Sequence, residues 1–338
     1  MNIPAYDAAV TVDGMPQDAA CSQAGPALQK RTKFPLSGII PPMVTPLNDS
    51  DQLDIAGLER LVEHVLAGGV SGLFVLGTTG EGPSLCYRLR HEMVSRVCRQ
   101  VNCRVPVLVG ITDTAFVESV ELARHAANAG ADALVVAPPY YPPEGQPELQ
   151  EYLDRLVPQL PLPLYLYNLP LLAKVSFELD TLRRAMDEPR IVGLKDSSGN
   201  MVYFHRVAGL LPRRPDWSLF IGPEELLLDA VFAGGHGGVS GGANLFPRLY
   251  VRLFEAVRAG NIPRARELHD AVMQIRDSLY PAGRHPSSII KGLKCALSCR
   301  GVCNDLMAEP SHRFRGQQRE AIEQRLSEIE DALSNLSL

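Results

Sequence analysis

The feature that most constrains the fold is an alternation of short apolar runs and helical segments, repeated eight times from residue 37. The runs are bounded by glycine, proline or charged residues, which is typical of buried parallel strands. They cover residues 38–46, 72–76, 105–109, 133–136, 163–167, 191–194, 217–221 and 237–240. Eight such strand–helix units predict an α/β fold, a (β/α)8 TIM barrel. An open doubly wound sheet is the alternative, although no Gly-x-Gly-x-x-Gly follows the first run.

Segments outside the eight units set the predicted domain boundaries. Residues 1–34 are rich in Ala, Asp, Gln, Gly and Pro and lack a continuous apolar core, which predicts a flexible N-terminal arm rather than a secretory signal. Residues 35–245 form the predicted barrel. Residues 246–338 carry apolar stripes at helical spacing and predict a C-terminal helical extension that covers the barrel or a second subunit.

Composition argues against several classes of function. The net charge of −5 and the lack of a basic stripe predict no nucleic-acid partner. No apolar run approaches the roughly 20 residues of a membrane span, so no membrane association is expected. Seven cysteines, an odd number, and no export signal predict a cytoplasmic protein with reduced thiols. Cys295, Cys299 and Cys303 would share one helical stripe, but their spacing matches no zinc or iron–sulfur pattern, and no metal site is predicted.

One lysine directly follows a strand pattern and is the candidate nucleophile. Ile191–Leu194 leads into Lys195, and a turn of Asp, Ser, Ser and Gly comes next. Burial disfavours the ammonium form of a lysine, so this amine could form a Schiff base at neutral pH. The alternative is a strand-end lysine that merely extends to water. Because the carboxyl ends of all barrel strands face one mouth, partners from other strands would favour the first interpretation.

Two other strand ends supply candidate partners. The glycines of Gly77–Ser84 can turn the amides of Thr78, Thr79 and Gly80 toward one anion, while a plain glycine turn is the alternative. Tyr167 ends the fifth run and could transfer protons, or it could be an ordinary aromatic residue at the rim.

The remaining strand ends are less specific. Tyr140 and Tyr141 stand in a proline-rich loop and could reach a neighbouring subunit or form a surface lid. Glu224 could bind substrate hydroxyls or lie in the first turn of a helix. His236 is the histidine nearest the predicted mouth, and packing explains it better than catalysis. A single histidine there argues against a metal-dependent hydrolase.

Three motifs, in this order and spacing, resemble those of the dihydrodipicolinate synthase/N-acetylneuraminate lyase family. They are Gly77-Thr78-Thr79-Gly80-Glu81, Tyr167-Asn168-x-Pro170 and Gly193-Leu194-Lys195-Asp196. The resemblance extends from about residue 37 into the helical tail. It implies a (β/α)8 barrel, class I aldolase or lyase activity, a homotetramer or homodimer, and no cofactor beyond a covalent imine with the substrate.

The resemblance also implies a role for individual residues. Lys195 matches the lysine that forms an imine with pyruvate, and Tyr167 matches the tyrosine acid/base. Tyr140 matches the tyrosine that crosses a dimer interface, with Tyr141 as the alternative. The predicted catalytic residues are Lys195, Tyr167, Tyr140 and Thr78. The predicted substrate-binding residues are Thr78, Thr79, Gly80, Ser197, Glu224 and Val239.

Two positions depart from the synthase pattern. Dihydrodipicolinate synthases carry an arginine two residues after the motif's proline, where it binds the carboxylate of aspartate semialdehyde. Leu172 occupies that position here and cannot replace a bidentate clamp. Sialic-acid lyases carry leucine there, and keto-deoxy-sugar-acid aldolases also lack the arginine. Lys174 stands where the family usually has glycine, so the loop could be shaped differently.

The predicted function is therefore a pyruvate-dependent class I aldolase or lyase. It would form or cleave a 2-keto acid, such as a 2-keto-3-deoxy sugar acid or an N-acetylneuraminate-like substrate, with pyruvate and an aldehyde as its small-molecule partners. One alternative is a synthase that condenses pyruvate with aspartate semialdehyde. Another is a non-catalytic relative that binds 2-keto acids.

Overall fold

Eight parallel strands follow one another around a barrel in the computed structural model, which describes residues 32–283, 285, 287–334 and 336. The strands are β1 (Gly38–Ile39), β2 (Leu73–Val75), β3 (Val107–Gly110), β4 (Ala133–Val136), β5 (Leu164–Asn168), β6 (Ile191–Asp196), β7 (Ser218–Ile221) and β8 (Gly237–Gly238). Strand β1 pairs with β8, and the Ser71 amide donates to the Ile39 carbonyl at 2.8 Å on its other side. Met43 also donates to the Phe74 carbonyl at 2.8 Å, so the sheet closes and the predicted barrel is confirmed.

Twelve α-helices occur in the described part of the chain. They are α1 (Ile55–Ala67), α2 (Tyr87–Val101), α3 (Phe116–Ala129), α4 (Gln146–Leu156), α5 (Pro170–Ala173), α6 (Leu179–Ala185), α7 (Met201–Ala208), α8 (Leu227–Phe232), α9 (Pro247–Arg258), α10 (Ile262–Leu279), α11 (Ser288–Cys299) and α12 (Gln317–Ser334). A small hairpin, Leu47–Asp49 with Gln52–Leu53, precedes α1. None of the described helices has both the length and the apolar composition that a bilayer span requires.

Capping residues explain where the helices begin and end. Asp54 accepts a hydrogen bond from the Gly57 amide at 2.9 Å and starts α1. Gly68 ends it. Helix α3 stops before Gly130, whose φ of 91° is a left-handed conformation that favours glycine.

Apolar side chains form two separate clusters. The larger one lies between the strands and the surrounding helices. The smaller one, here called the inner core, fills the barrel and consists of Leu36, Ile40, Phe74, Leu108, Ala133, Val135, Ala137, Tyr165, Tyr167, Val192, Phe220 and Val239. Phe34 packs against it, so the last part of the predicted arm contacts the barrel, while residues 1–31 lie outside the described residues.

The C-terminal helices continue the barrel before they cover it. Helix α9 follows β8 and buries Leu249 and Leu253, so it is the eighth helix of the barrel and the predicted boundary at residue 245 falls before it. Helix α12 buries the predicted stripe and packs against α10 and α11. The apolar stripes of these helices are therefore buried against other parts of the same chain.

The predicted cysteine stripe on one helix is wrong. Helix α11 ends at Cys299, and Gly301 with φ 68° turns the chain away before Cys303. Burial raises the pKa of Cys295 and of Cys303 to about 12, so both thiols are protonated at neutral pH. No group of three His, Cys, Asp or Glu residues in the described ranges could hold a metal ion.

Candidate active site

Lys195 lies near the carboxyl end of β6, inside the barrel. It is paired in register with Tyr167 on β5 and with Phe220 on β7. The side chain is buried, and its Nζ lies 3.9 Å from the centroid of the Tyr167 ring and 5.0 Å from that of Phe74. The amine is therefore enclosed by aromatic faces at the end of the barrel where active sites of this fold lie.

Tyr167 connects this lysine to the loop after β2. Its hydroxyl lies 3.4 Å from Thr78 Oγ1. Burial alone raises the pKa of Tyr167, but the charge of Lys195 and hydrogen bonds with Thr78 and Ser197 together outweigh it, so the pKa lies below its usual value. A phenol with a lowered pKa, next to an amine, is suited to proton transfer.

The loop after β2 carries the three backbone amides that the sequence predicts as a carboxylate site. The Glu81 backbone amide donates to the Thr78 carbonyl at 3.0 Å, which makes the turn tight. Within the described chain, the amides of Thr78, Thr79 and Gly80 donate to no protein acceptor. Consecutive free amides of this kind can bind a carboxylate.

Close packing around Leu76 holds that loop in place. Leu76 has a φ of 59°, which is uncommon for a leucine. A Cβ atom at Gly110 would lie 2.5 Å from the Leu76 carbonyl oxygen, and one at Gly82 would lie 2.3 Å from it. Both positions therefore need glycine because the backbone of Leu76 approaches so closely.

A buried ion pair joins the same loop to the C-terminal helices. Lys294 on α11 donates to Glu81 Oε1 at 2.7 Å and to the Thr45 carbonyl at 2.8 Å. The other Glu81 oxygen accepts from the Ala308 amide at 2.8 Å. Sequence reasoning missed Lys294, although a lysine in an apolar helical stripe, with no acidic residue three or four positions away, was a usable signal.

The ends of β5 and β6 are joined by side chains next to the two central residues. Asn168 donates to Asp196 Oδ1 at 2.8 Å and accepts from the Phe177 amide at 3.1 Å. The amide and hydroxyl of Ser198 both donate to Asp196 at 3.0 Å. Burial raises the pKa of Asp196 above its usual value. This network fixes the relative positions of Tyr167 and Lys195.

The two tyrosines of the proline-rich loop lie in different surroundings. Tyr140 is half-buried and lines a cavity of about 250 Å³ together with Thr78 and Tyr167 of its own chain. Tyr141 is 79% exposed, and its carbonyl accepts from Lys174 Nζ at 3.1 Å. Lys174 itself has a φ of 61°, the left-handed conformation that glycine would adopt there.

Ser197 and Val239 are close to the central residues. Ser197 contributes to the hydrogen bonding of Tyr167, and a Cβ atom at Gly222 would lie 1.9 Å from Ser197 Oγ. Val239 belongs to the inner core, and its amide donates to the Ile221 carbonyl at 2.8 Å.

The Glu224 carboxylate accepts hydrogen bonds from residues other than the three central ones, Lys195, Tyr167 and Thr78. One carboxylate oxygen accepts from Tyr250 at 2.7 Å and from Tyr280 at 2.5 Å, and the other accepts from the Gly242 amide at 2.7 Å. Burial raises its pKa. None of these bonds involves Lys195, Tyr167 or Thr78, and the role of Glu224 in substrate binding stays a prediction.

The expected position of His236 is wrong. Strand β8 begins at Gly237, so the histidine precedes the strand and lies at the amino end of the barrel, opposite Lys195. Its Nδ1 accepts from the Leu219 amide at 3.1 Å. Burial lowers its pKa, which agrees with a packing role.

Comparison with known proteins decides the family. Residues 35–329 match the model of the dihydrodipicolinate synthetase family. The chain belongs to this family. A 4-hydroxy-tetrahydrodipicolinate synthase from Thiobacillus denitrificans is 34% identical over 72% of this chain and 81% of its own length.

Solved structures of family members resemble the whole described barrel. Dihydrodipicolinate synthase from Bacteroides thetaiotaomicron is 53% identical, with a TM-score of 0.86 over 88% of this chain and 100% of its own. YagE, a prophage protein of the dihydrodipicolinic acid synthase family from E. coli K12 solved with pyruvate, is 28% identical, with a TM-score of 0.82 over 88% of this chain and 99% of its own. As a member of the family, the chain is a carbon–carbon lyase of the class I aldolase type.

Proposed function

We propose that the chain is a pyruvate-dependent class I aldolase that forms or cleaves a 2-keto acid through an imine on Lys195. The observation that carries this proposal is the position of the buried Lys195 amine, 3.9 Å from the centroid of the Tyr167 ring. The Tyr167 hydroxyl in turn lies 3.4 Å from Thr78 Oγ1. The proposed nucleophile, proton carrier and carboxylate site thus come from the carboxyl ends of β6, β5 and β2.

The proposed reaction starts at the keto carbon of pyruvate. The Lys195 amine attacks it, and Tyr167 transfers the protons through which the carbinolamine loses water and becomes an imine. The free amides of Thr78, Thr79 and Gly80 bind the carboxylate. Tyr167 then accepts a proton from the methyl carbon, which gives an enamine that attacks an aldehyde. Hydrolysis returns the amine, and cleavage follows the same steps in reverse.

The family resemblance suggests a 2-keto-3-deoxy sugar acid or an N-acetylneuraminate-like compound as one candidate class of substrate for this reaction. Leu172 supports it over aspartate semialdehyde, since a leucine lines the cavity at the position of the synthase arginine. The names of relatives such as the Thiobacillus denitrificans protein favour the second candidate, a 4-hydroxy-tetrahydrodipicolinate synthase. The further alternative is a relative that forms the imine with a 2-keto acid but does not carry out the aldol reaction.

Reductive trapping tests the proposal. Borohydride added with pyruvate should attach a fixed mass to Lys195, identified by peptide mass spectrometry. Lys195→Ala should abolish the adduct, whereas Lys33→Ala, which removes an exposed amine before β1, should retain it. An adduct that persists in Lys195→Ala would refute the assignment. Release of pyruvate from a panel of 2-keto-3-deoxy acids and N-acetylneuraminate, compared with condensation with aspartate semialdehyde, separates the two candidates.

A further inference from the structure

The cavity next to Tyr167 is lined mostly by apolar groups. Its lining residues are Phe74, Leu76, Gly77, Thr78, Pro83, Gly110, Thr112, Val135, Ala137, Pro138, Tyr140, Tyr167, Leu169, Leu172 and Ala173. Among these described residues none is charged. They come from strands β2, β3, β4 and β5 and from the segments that follow these strands, on one side of the barrel mouth.

Charged side chains near this part of the mouth already have partners. Arg90 and Asp113 form a buried pair at 2.7 Å, and the guanidinium also donates to the Leu85 carbonyl. Lys174 is exposed and donates to the Tyr141 carbonyl. An aldehyde that carries a carboxylate or an ammonium group would lose its hydration in the cavity without meeting an opposite charge.

Hydroxyl groups are also few there. Thr78 and Tyr167 are the groups that the proposed mechanism uses for the keto acid. Thr112 already accepts from the Ala137 amide at 2.9 Å, which leaves its hydrogen and the Tyr140 hydroxyl for a ligand. A polyhydroxylated chain needs a partner for each buried hydroxyl, and this lining supplies too few.

The volume suits an apolar group attached to the keto acid. The cavity measures about 250 Å³. An apolar cavity of roughly 150 Å³ in another protein holds a benzene molecule. Lys195 is not among its lining residues, so the space lies beside the keto acid and admits one ring or a branched alkyl group.

We infer that the acceptor is an aldehyde with an apolar body, aromatic or branched aliphatic, rather than a sugar-derived or charged aldehyde. The inference rests on the proposed pyruvate aldolase function. The enamine carbon bonds to the aldehyde carbon, the aldehyde oxygen takes a proton and becomes a hydroxyl, and water then splits the imine. One water molecule is released when the imine forms and one is consumed when it is hydrolysed. The aldol addition itself is redox-neutral and needs no oxidant or reductant.

The test combines pyruvate trapping with an aldehyde panel. The full chain is incubated with pyruvate and benzaldehyde, 2-methylpropanal, glyceraldehyde or aspartate semialdehyde, and the condensation products are quantified by mass spectrometry. We expect kcat/KM for the first two aldehydes to exceed that for the last two by about 100-fold, since a single buried methylene can contribute about 10-fold or more. Leu172→Asn should lower kcat/KM for benzaldehyde by about 10-fold.

A neighbouring leucine provides the matched control. Leu171 is 77% exposed on the same short helix and does not line the cavity, so Leu171→Asn should change kcat/KM less than twofold. Pyruvate trapping with equal or better turnover of the polar aldehydes would overturn this inference and leave the aldolase function in place. Equal losses in both variants would overturn the role of the cavity. Failure to trap pyruvate at all would overturn the proposed function and the inference with it.

Discussion

Replacing Lys294 with methionine should strongly destabilise the fold, although this residue lies outside the cavity. Its side chain is 0% exposed and that of its partner Glu81 is 6% exposed, with 2.7 Å between them. Methionine fills similar space but leaves a buried carboxylate without its cation. Removal of one partner from such a pair costs about 3–5 kcal/mol. That is a large share of the roughly 5–15 kcal/mol by which domains are stable.

The same substitution should weaken pyruvate binding. Glu81 directly follows the free amides of the loop after β2, and its second oxygen accepts from the Ala308 amide at 2.8 Å. Loss of Lys294 lets the carboxylate move toward water and takes the loop with it. We expect KM for pyruvate to rise more than kcat falls, because the loop binds the carboxylate group rather than the reacting carbon.

Urea titration of the variants measures how much the free energy of unfolding falls relative to wild type. Arg104→Met is the control, because it breaks an exposed pair with Glu63 whose side chains are 45% and 54% exposed and should cost less than about 1 kcal/mol. Adding Glu81→Gln to Lys294→Met should recover part of the loss, since the glutamine still accepts from Ala308 but carries no charge. A cost for Lys294→Met no larger than that for Arg104→Met would refute the reasoning.

Three further substitutions test other parts of the structure. Tyr167→Phe should lower kcat by about 10²–10⁴, as expected when a proton carrier is lost, and a rate equal to wild type would exclude that role. Burial raises the pKa of Glu224, so its stabilising neutral form is fully present below pH 4.5 and is lost as pH rises through the folded pKa. Urea titrations should therefore show Glu224→Gln gaining stability relative to wild type as pH rises from 4.5; parallel profiles would contradict this. Lys174→Gly should be about 1 kcal/mol more stable than Lys174→Ala, because φ is 61° there, and equal midpoints in urea would argue against backbone strain.

The architecture was predictable because its signals are local. Periodic apolar residues locate α1 and α3, and Gly68 and Gly130 mark where these helices end. Each of the eight apolar runs overlaps one strand, although β1 stops at Ile39 because the prolines that follow lack amide hydrogens. The boundary at residue 245 stays a prediction, because a helix that completes the barrel has the same apolar pattern as a helix that covers it.

The site was predictable only where a motif names the residue and a strand end orients it. Thr78 lies in the loop after β2 and Tyr167 lies within β5, and their hydroxyl oxygens are 3.4 Å apart. Glu224 also follows a strand, but its carboxylate turns toward Tyr250 and Tyr280, which are distant in sequence and carried no signal of that contact. The sequence thus predicts where a residue lies along a strand, but it does not predict which residue distant in the sequence its side chain contacts.

The direction in which Lys195 points illustrates that limit most clearly. Ile191 belongs to the outer cluster, and strict alternation from it would direct residue 195 toward the helices as well. The pairing of β5 with β6 instead shifts by one residue, so that Gly193 stands opposite Tyr165 and Leu194 faces outward. Glycine is required at the shift, since a Cβ atom at Gly193 would lie 2.4 Å from the Tyr165 ring. A one-residue irregularity in the strand therefore turns Lys195 into the barrel beside Tyr167, and the alternation of apolar residues alone could not have shown it.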